Sequence, residues 1–303
     1  MSILDWLWLF FIISSLQPVI QRAMMTLSRR RILALIAVRR DATVITLIHR
    51  QETISLLGIP LARYIDIDDA ESVLRAIRET PPGKTIEIIL HTPGGLVLAA
   101  SQIARALSDH DGKVVAVVPH YAMSGGTLIA LAADEIQLDR HAALGPVDPQ
   151  LGQHAARSLV DVAALPGEHD DQTLLMADVG RKALRQVKAT VTGLLQKRMD
   201  PVRAEELAEI LSQGVWTHDN ALMAPELEQL GLPVKVGVPA EERSLMDLYP
   251  QPRGRQSAVE YAPAHASRCP VAAGVPNAAD VPDLSGHKVA VRLLYDCRTA
   301  VNK

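Results

Sequence analysis

From residue 43 onward, short β-branched runs alternate with stretches of helical period. Residues 43–49, 85–91, 113–119 and 135–139 are short, rich in Val and Ile and bounded by turn residues, which predicts four strands. The intervening segments 68–79, 96–107 and 125–133 read as helices. Strand and helix alternating at this spacing require right-handed crossovers, hence a mostly parallel sheet with functional residues gathered at the carboxyl ends of its strands. Further on, 172–198 predicts a long helix with an apolar arc of Leu184, Val187, Val191, Leu194 and Leu195. Pro201 opens another helix running to Leu211, and a short one ends at Gly231.

The two ends of the chain follow other patterns. Residues 3–20 are apolar, with an unbroken run from Trp6 to Ile13, but Ser14, Ser15, Gln17 and Pro18 shorten it to the lower limit for a membrane-spanning helix. No positive region precedes it and no small-residue cleavage site follows, which argues against a removable signal peptide. Arg22, Arg29, Arg30, Arg31, Arg39 and Arg40 come next, with no acid between Asp5 and Asp41. By the positive-inside rule, such a flank holds the following domain at the cytoplasmic face of the inner membrane. A helix lying in the interface, or packed on the protein itself, is the other reading. Beyond residue 248 the chain turns rich in Pro, Ala and Gly, a composition that supports no packed core. The expected organisation is a membrane-anchoring helix with its basic flank over 1–40, an α/β domain over 41–245 and a largely disordered tail over 246–303.

Composition narrows the function classes. The chain has 303 residues, 48% of them hydrophobic and only 3% aromatic, as in an α/β protein whose sheet is covered on both faces. A net charge of −3 without a basic stripe gives nucleic acid no footing. Cys269 and Cys297 show neither metal-ligand nor redox spacing, and no G-x-G-x-x-G fingerprint occurs, so neither metal nor cofactor is expected.

The chemistry lies at two strand ends. The strand Thr85–His91 ends in His91-Thr92-Pro93-Gly94-Gly95, and the next ends in His120-Tyr121-Ala122-Met123-Ser124-Gly125-Gly126. Each turn enters a helix, so both helix N-termini face one cleft. A serine there is placed where the Gly125 amide can bond an oxyanion, and Gly95 offers a second amide. Ser124 is equally suited to be a plain N-cap. The Gly-Gly turn one βα unit earlier favours the chemical role.

These residues carry a resemblance. The two turns, together with Ala132-Ala133-Asp134-Glu135, Leu144-Gly145-Pro146-Val147-Asp148-Pro149-Gln150 and Trp216-Thr217-His218-Asp219, resemble the serine dehydrogenase proteinase family. That family is similar to signal peptide peptidase A and the Clp proteolytic subunit. The resemblance runs through about Val238 and leaves the tail unexplained. It implies a ClpP/crotonase-like superfold of repeated β-β-α units and a serine peptidase with Ser124 as nucleophile. It further implies Gly95 and Gly125 as oxyanion donors, with Gly94, His120 and Asp219 nearby in the cleft. The partners it implies are a polypeptide substrate, membrane proteins among the candidates, and homo-oligomers, trimer-based or larger.

The general base departs from the Clp pattern. Asp148 falls where the Clp subunit has its catalytic histidine, and a carboxylate is a poor base for a hydroxyl. Signal peptide peptidase relatives use a lysine, and Lys182 lies on the long predicted helix. At 100° per residue, however, it points about 150° from the centre of the apolar arc, toward solvent. His218 needs no unusual environment to act near neutral pH and falls where Clp relatives carry their acid. His218, Lys182 and Asp148 therefore compete for the role. Two other functions use the same fold: acyl-CoA chemistry of the crotonase kind, for which Ser124 is superfluous, and a non-catalytic scaffold binding membrane proteins.

Overall fold

A computed structural model describes residues 3–50, 54–56, 59–61 and 64–249. Residues 250–303 of the expected tail, with both cysteines, lie outside the described residues. Helix α1 (Ile3–Arg40) leads into strand β1 (Ala42–Ile48), a pair of short strands β2 (Ile54–Leu56) and β3 (Ile59–Leu61), then α2 (Ile67–Glu79), β4 (Thr85–His91) and α3 (Val97–Ser108). Next come β5 (Val114–Val118), β6 (Tyr121–Ala122), α4 (Gly125–Ala130), β7 (Glu135–Leu138), β8 (Ala143–Leu144), β9 (Gln150–Leu151), β10 (His154–Ala155) and α5 (Ala156–Ala163). The remaining elements are α6 (Asp171–Leu195), α7 (Pro201–Ser212), α8 (Ala224–Gln229), β11 (Val234–Val236) and α9 (Ala240–Asp247).

The main sheet has the order β1-β4-β5-β7-β11, and every pair in it is parallel. Strands β4 and β5 are covered on both faces, which is why their sequences read as near-continuous apolar runs. Because successive side chains alternate, Ile86, Ile88 and Leu90 of β4 face a larger core shared with α2, α3, α4, α6 and α7. Ile89 of β4 and Val115 and Val117 of β5 face the other way, into a smaller core with Ile36 of α1 and Leu245 of α9. Outside the main sheet β6 pairs with β8, so β5–β6–α4 forms one β-β-α unit and β7–β8 begins the next. This mixed α/β architecture agrees with the expected ClpP-like fold.

The transmembrane expectation needs correction. Helix α1 is 38 residues long, yet among the described residues no helix is long and apolar enough to cross a membrane. The apolar run that ends at Ile13 is far shorter than the roughly 20 residues that a 30 Å hydrocarbon layer demands. The second half of α1 instead packs on the domain. Ile36 is buried, Arg29 Nε donates to Leu248 O at 2.7 Å, and the Arg29 guanidinium lies 4.0 Å from the Tyr249 ring centre. Arg39 pairs with Glu241, while Arg40 reaches Glu242 at 3.4 Å and Glu87 at 3.8 Å. Arginines that read as an orientation signal are thus also partners of β4, α9 and the turn after it.

Glu87 and Glu242 are both buried, and Arg40 is the cation they share. Burial, and then the neighbouring Glu242 carboxylate, raises Glu87 from its ordinary 4.5 to about 7, with Arg40 pulling the other way. The folded state therefore keeps a proton that the unfolded chain gives up near 4.5. The stabilisation linked to that proton is complete below the unfolded value and is lost as pH rises through about 7. Glu87→Gln, a neutral isostere, is expected to gain in melting temperature over the wild type as pH rises from about 5 to about 8, by several degrees. Melting curves at each pH check this, and a gap that stays constant across the range contradicts it.

Candidate active site

The turn after β4 and the turn after β5 are zipped together by backbone bonds: Thr92 N–H donates to Tyr121 O at 3.2 Å and Met123 N–H to Thr92 O at 3.0 Å. Their glycines are set by crowding. A Cβ on Gly126 would come within 2.5 Å of Thr92 Cγ2, and one on Gly94 within 2.8 Å of Ser124 Cβ. Ser124 itself has φ 50° and ψ −114°, outside the regions open to L-residues, at a cost of about 1–3 kcal/mol. Its side chain makes no capping hydrogen bond to α4, so the hydroxyl is not consumed as an N-cap. Thr127 anchors the turn from behind, donating to Ala122 O at 2.7 Å and accepting from Gly145 N–H at 3.0 Å.

Two amides are left over. Among the described residues, neither Gly95 N–H nor Gly125 N–H has a hydrogen-bond partner, and Gly95 N lies 3.5 Å from where a Cβ on Gly125 would stand. Gly95 is held by Ile65, which donates to Gly94 O at 2.8 Å and accepts from Leu96 N–H at 2.9 Å. A Cβ at position 95 would stand only 2.3 Å from the backbone N and O of Ile65. Packing, not only a free amide, therefore requires glycine there.

Asp148 and His218, read from the sequence as rivals, are bonded to each other. His218 Nδ1 is 2.8 Å from Asp148 Oδ1, and Gln150 Nε2 donates to Asp148 Oδ2 at 2.6 Å. Leu144 and Leu222 exchange both backbone hydrogen bonds, at 3.0 and 2.8 Å, and Val147 N–H donates to Leu211 O at 2.9 Å. These bonds fix the loop of 144–149 against the segment 211–222 and bring the pair together across seventy positions of sequence. The Asp148 side chain is 2% exposed and that of His218 is 34% exposed, so the carboxylate is buried while the imidazole reaches the surface of the cleft. The cleft encloses about 290 Å³ and is lined by Ser124, Gly95, Gly125, Asp148 and His218, with Tyr64, Leu128, Val187 and Gln150 among its other walls.

Other expected site residues lie elsewhere. Lys182 is 58% exposed on α6, ion-paired with Asp178 one turn earlier, and is not part of the cleft wall. His120 was expected in the cleft, but it lines a separate hollow of about 380 Å³ beside Asp139, Arg243 and Asp247 of α9. His120 thus meets α9, while Ser124 faces the cleft beside Leu128 of α4 and Val187 of α6. Asp219 does not reach the cleft wall, and Gly94 abuts it through Ser124. His91 is buried with its ring 4.4 Å from that of Tyr121 and 5.4 Å from that of His120. Burial, with Arg50 next, lowers it to about 4, which keeps it neutral. Among the described residues no group of three His, Cys, Asp or Glu side chains is placed to hold a metal ion. Tyr64 escaped the sequence reading, and Gln150 entered it only as the end of the Leu144–Gln150 motif, with no role assigned.

The chain belongs to the ClpP-like SDH-type serine proteinases, whose family profile matches residues 1–272. It is 50% identical to the uncharacterized protein MJ0137 of Methanocaldococcus jannaschii over 86% of this chain and 92% of that one. It is 44% identical to MJ1495 of the same organism, over 84% of this chain and 88% of the other. Among solved structures it is similar to a mutant of the 1510-N membrane-bound stomatin-specific protease, with 20% identity and a TM-score of 0.42 over 68% of this chain and 84% of that one.

The Ile65 clamp makes a prediction. Gly95→Ala is expected to lower the melting temperature, by an amount corresponding to about 1–3 kcal/mol, because the added methyl must displace the backbone at Ile65. Unchanged thermal stability in the alanine variant would show that the clamp yields freely.

Proposed function

We propose that this protein is a serine peptidase in which Ser124 attacks the scissile carbonyl, His218 takes its proton and Asp148 orients His218. The observation that carries this reading is the buried Asp148 carboxylate bonded to His218 Nδ1 in the same cleft as the uncapped, strained Ser124. A carboxylate accepts only, so Nδ1 carries the proton and Nε2 keeps a lone pair for the serine hydroxyl. Asp148 thereby acts as the orienting acid, which removes the objection that it is too weak a base. The order of the three along the chain differs from that of the Clp subunit, but such triads are defined by geometry. As the tetrahedral intermediate forms, its oxygen would accept from Gly95 N–H and Gly125 N–H, each donor contributing about 3–4 kcal/mol at the transition state. His218 then gives its proton to the leaving amine, and water hydrolyses the Ser124 ester by the same route.

Fluorophosphonate labelling of the full-length protein tests the assignment. Labelling is expected to vanish in Ser124→Ala and to slow by about 10²–10⁴-fold in His218→Ala, while Lys182→Ala keeps most of it. Loss with Lys182→Ala and retention with His218→Ala would restore a Ser-Lys dyad. No labelling of the wild type would favour the non-catalytic scaffold.

Membrane attachment is proposed in a form that needs no span. Leu16, Val19, Ile20, Met24 and Leu27 of α1 are exposed, as are Arg30 and Arg31, a composition suited to lying on an anionic bilayer with the cleft on the cytoplasmic side. The enzyme is proposed to work there as a homo-oligomer, trimer-based or larger, on polypeptides that include membrane proteins. The full chain should float with vesicles containing anionic lipid, and a chain lacking residues 1–25 should not. Equal flotation of the two would remove α1 as the anchor.

A further inference from the structure

From the Gly94–Gly95 turn runs a largely buried polar chain that the mechanism above leaves unused. His49 follows β1 at its carboxyl end and is buried, with Nε2 3.1 Å from Asp69 Oδ2 and Nδ1 3.0 Å from Thr92 Oγ1. Thr92, also buried, accepts Gly94 N–H on the same Oγ1 at 3.2 Å.

The chemistry of the groups sets the direction of each bond. Asp69 as a carboxylate only accepts, so His49 donates to it from Nε2, and in the tautomer protonated there Nδ1 is left as the acceptor. The Thr92 hydroxyl donates to Nδ1 and keeps its lone pairs for Gly94 N–H. Gly94 O, 3.4 Å from Oγ1, is the poorer alternative acceptor for that hydroxyl. Every donor thus points from Gly94 toward Asp69, an arrangement in which each bond polarises the next.

Both ends of this chain are tied to one short segment. Asp69 Oδ2 accepts Asp66 N–H at 3.1 Å, and Asp66 Oδ1 accepts Asp69 N–H at 2.9 Å, the capping box of α2. The residue before it, Ile65, donates to Gly94 O at 2.8 Å. The N–H of Gly94 is therefore held through Thr92 and His49, its C=O is held by Ile65, and both restraints rest on the start of α2. A Cβ on Gly94 would stand 2.8 Å from Ser124 Cβ, so any drift of this residue changes where the next amide, Gly95 N–H, lies relative to the serine.

We propose that Asp69, His49 and Thr92 form a positioning relay that sets the Gly94–Gly95 turn against Ser124, so that Gly95 N–H meets the developing oxyanion; this rests on the reading of Gly95 as an oxyanion donor. None of the three lines the cleft, so their effect falls on the reacting step rather than on binding.

The test uses the full-length protein and a fluorophosphonate probe, with the limiting labelling rate and the probe's half-saturating concentration measured separately and normalised to folded protein. Thr92→Val, which keeps the shape and removes the hydroxyl, is expected to lower the limiting rate about 10–100-fold, with half-saturation within about twofold of wild type. Thr92→Ser should restore most of the rate. Asp69 is only partly buried, so Asp69→Ala provides a variant that folds if the valine does not; it should slow labelling several-fold, whereas Asp66→Ala, which breaks the same capping box without touching His49, should not. A Thr92→Val enzyme as fast as wild type, a serine variant as slow as valine, or equal losses in Asp66→Ala and Asp69→Ala would each overturn the relay. A wild type that labels while all variants match it leaves the Ser124 reading standing and removes this inference alone; a wild type that never labels removes both.

Discussion

A parallel sheet must end all its strands at one edge, and each return to the opposite edge must pass through a crossover. The site depends on that constraint. Because β4 and β5 are neighbours in register, with Ile89 opposite Val117, the turns that follow them meet without any further device. Two glycine-rich turns side by side leave two amides free near each other and leave Ser124 in a conformation it would not choose alone. Bonds from Thr92 to both Tyr121 and Met123, and from Thr127 to Ala122, hold it there. A rigid edge of sheet thus holds the half-buried Ser124 in its strained conformation at the cleft wall.

Asp148 and His218 are held differently. They stand on loops, not strand ends, and the reciprocal Leu144–Leu222 bonds act as a small strand pair that carries the loops to the cleft. Gln150 occupies the other Asp148 oxygen, so the carboxylate is left with a fixed orientation in a buried site. Position in this half of the site comes from side chain and loop bonding, and only the serine half comes from the sheet.

That division explains what could be read from the sequence. The strand ends, the glycine turns and the serine after Met123 are local patterns, visible within ten residues. The wheel geometry that turned Lys182 away from the core agrees with its exposed, ion-paired side chain. The bond between His218 and Asp148 spans too much sequence to leave a pattern, so the two looked like competitors. Strands of two residues, such as β6, β8, β9 and β10, are shorter than the alternation needed to see them. His49 and Thr92 looked like ordinary strand and turn residues, because the partner that gives them meaning, Asp69, sits in a helix cap. For α1, hydropathy recorded an apolar run and a basic flank but was blind to Glu87, Glu241 and Glu242, which meet that flank from elsewhere in the chain.

The smaller core has a consequence for how the molecule assembles. Arg29 meets Leu248 across 219 positions of sequence, and Arg40 meets Glu242 across 202. Closing so long a loop costs chain entropy that the sheet between its ends helps to offset, so the contacts shared by α1 and α9 are expected to seal last. During synthesis the arginines of the first helix meet their partners on α9 and at Leu248 only when nearly all of the domain has emerged. Amide exchange in the finished protein should resolve two cooperative units back to back on one sheet, with the face bearing α1 and α9 opening while the serine-bearing face stays closed.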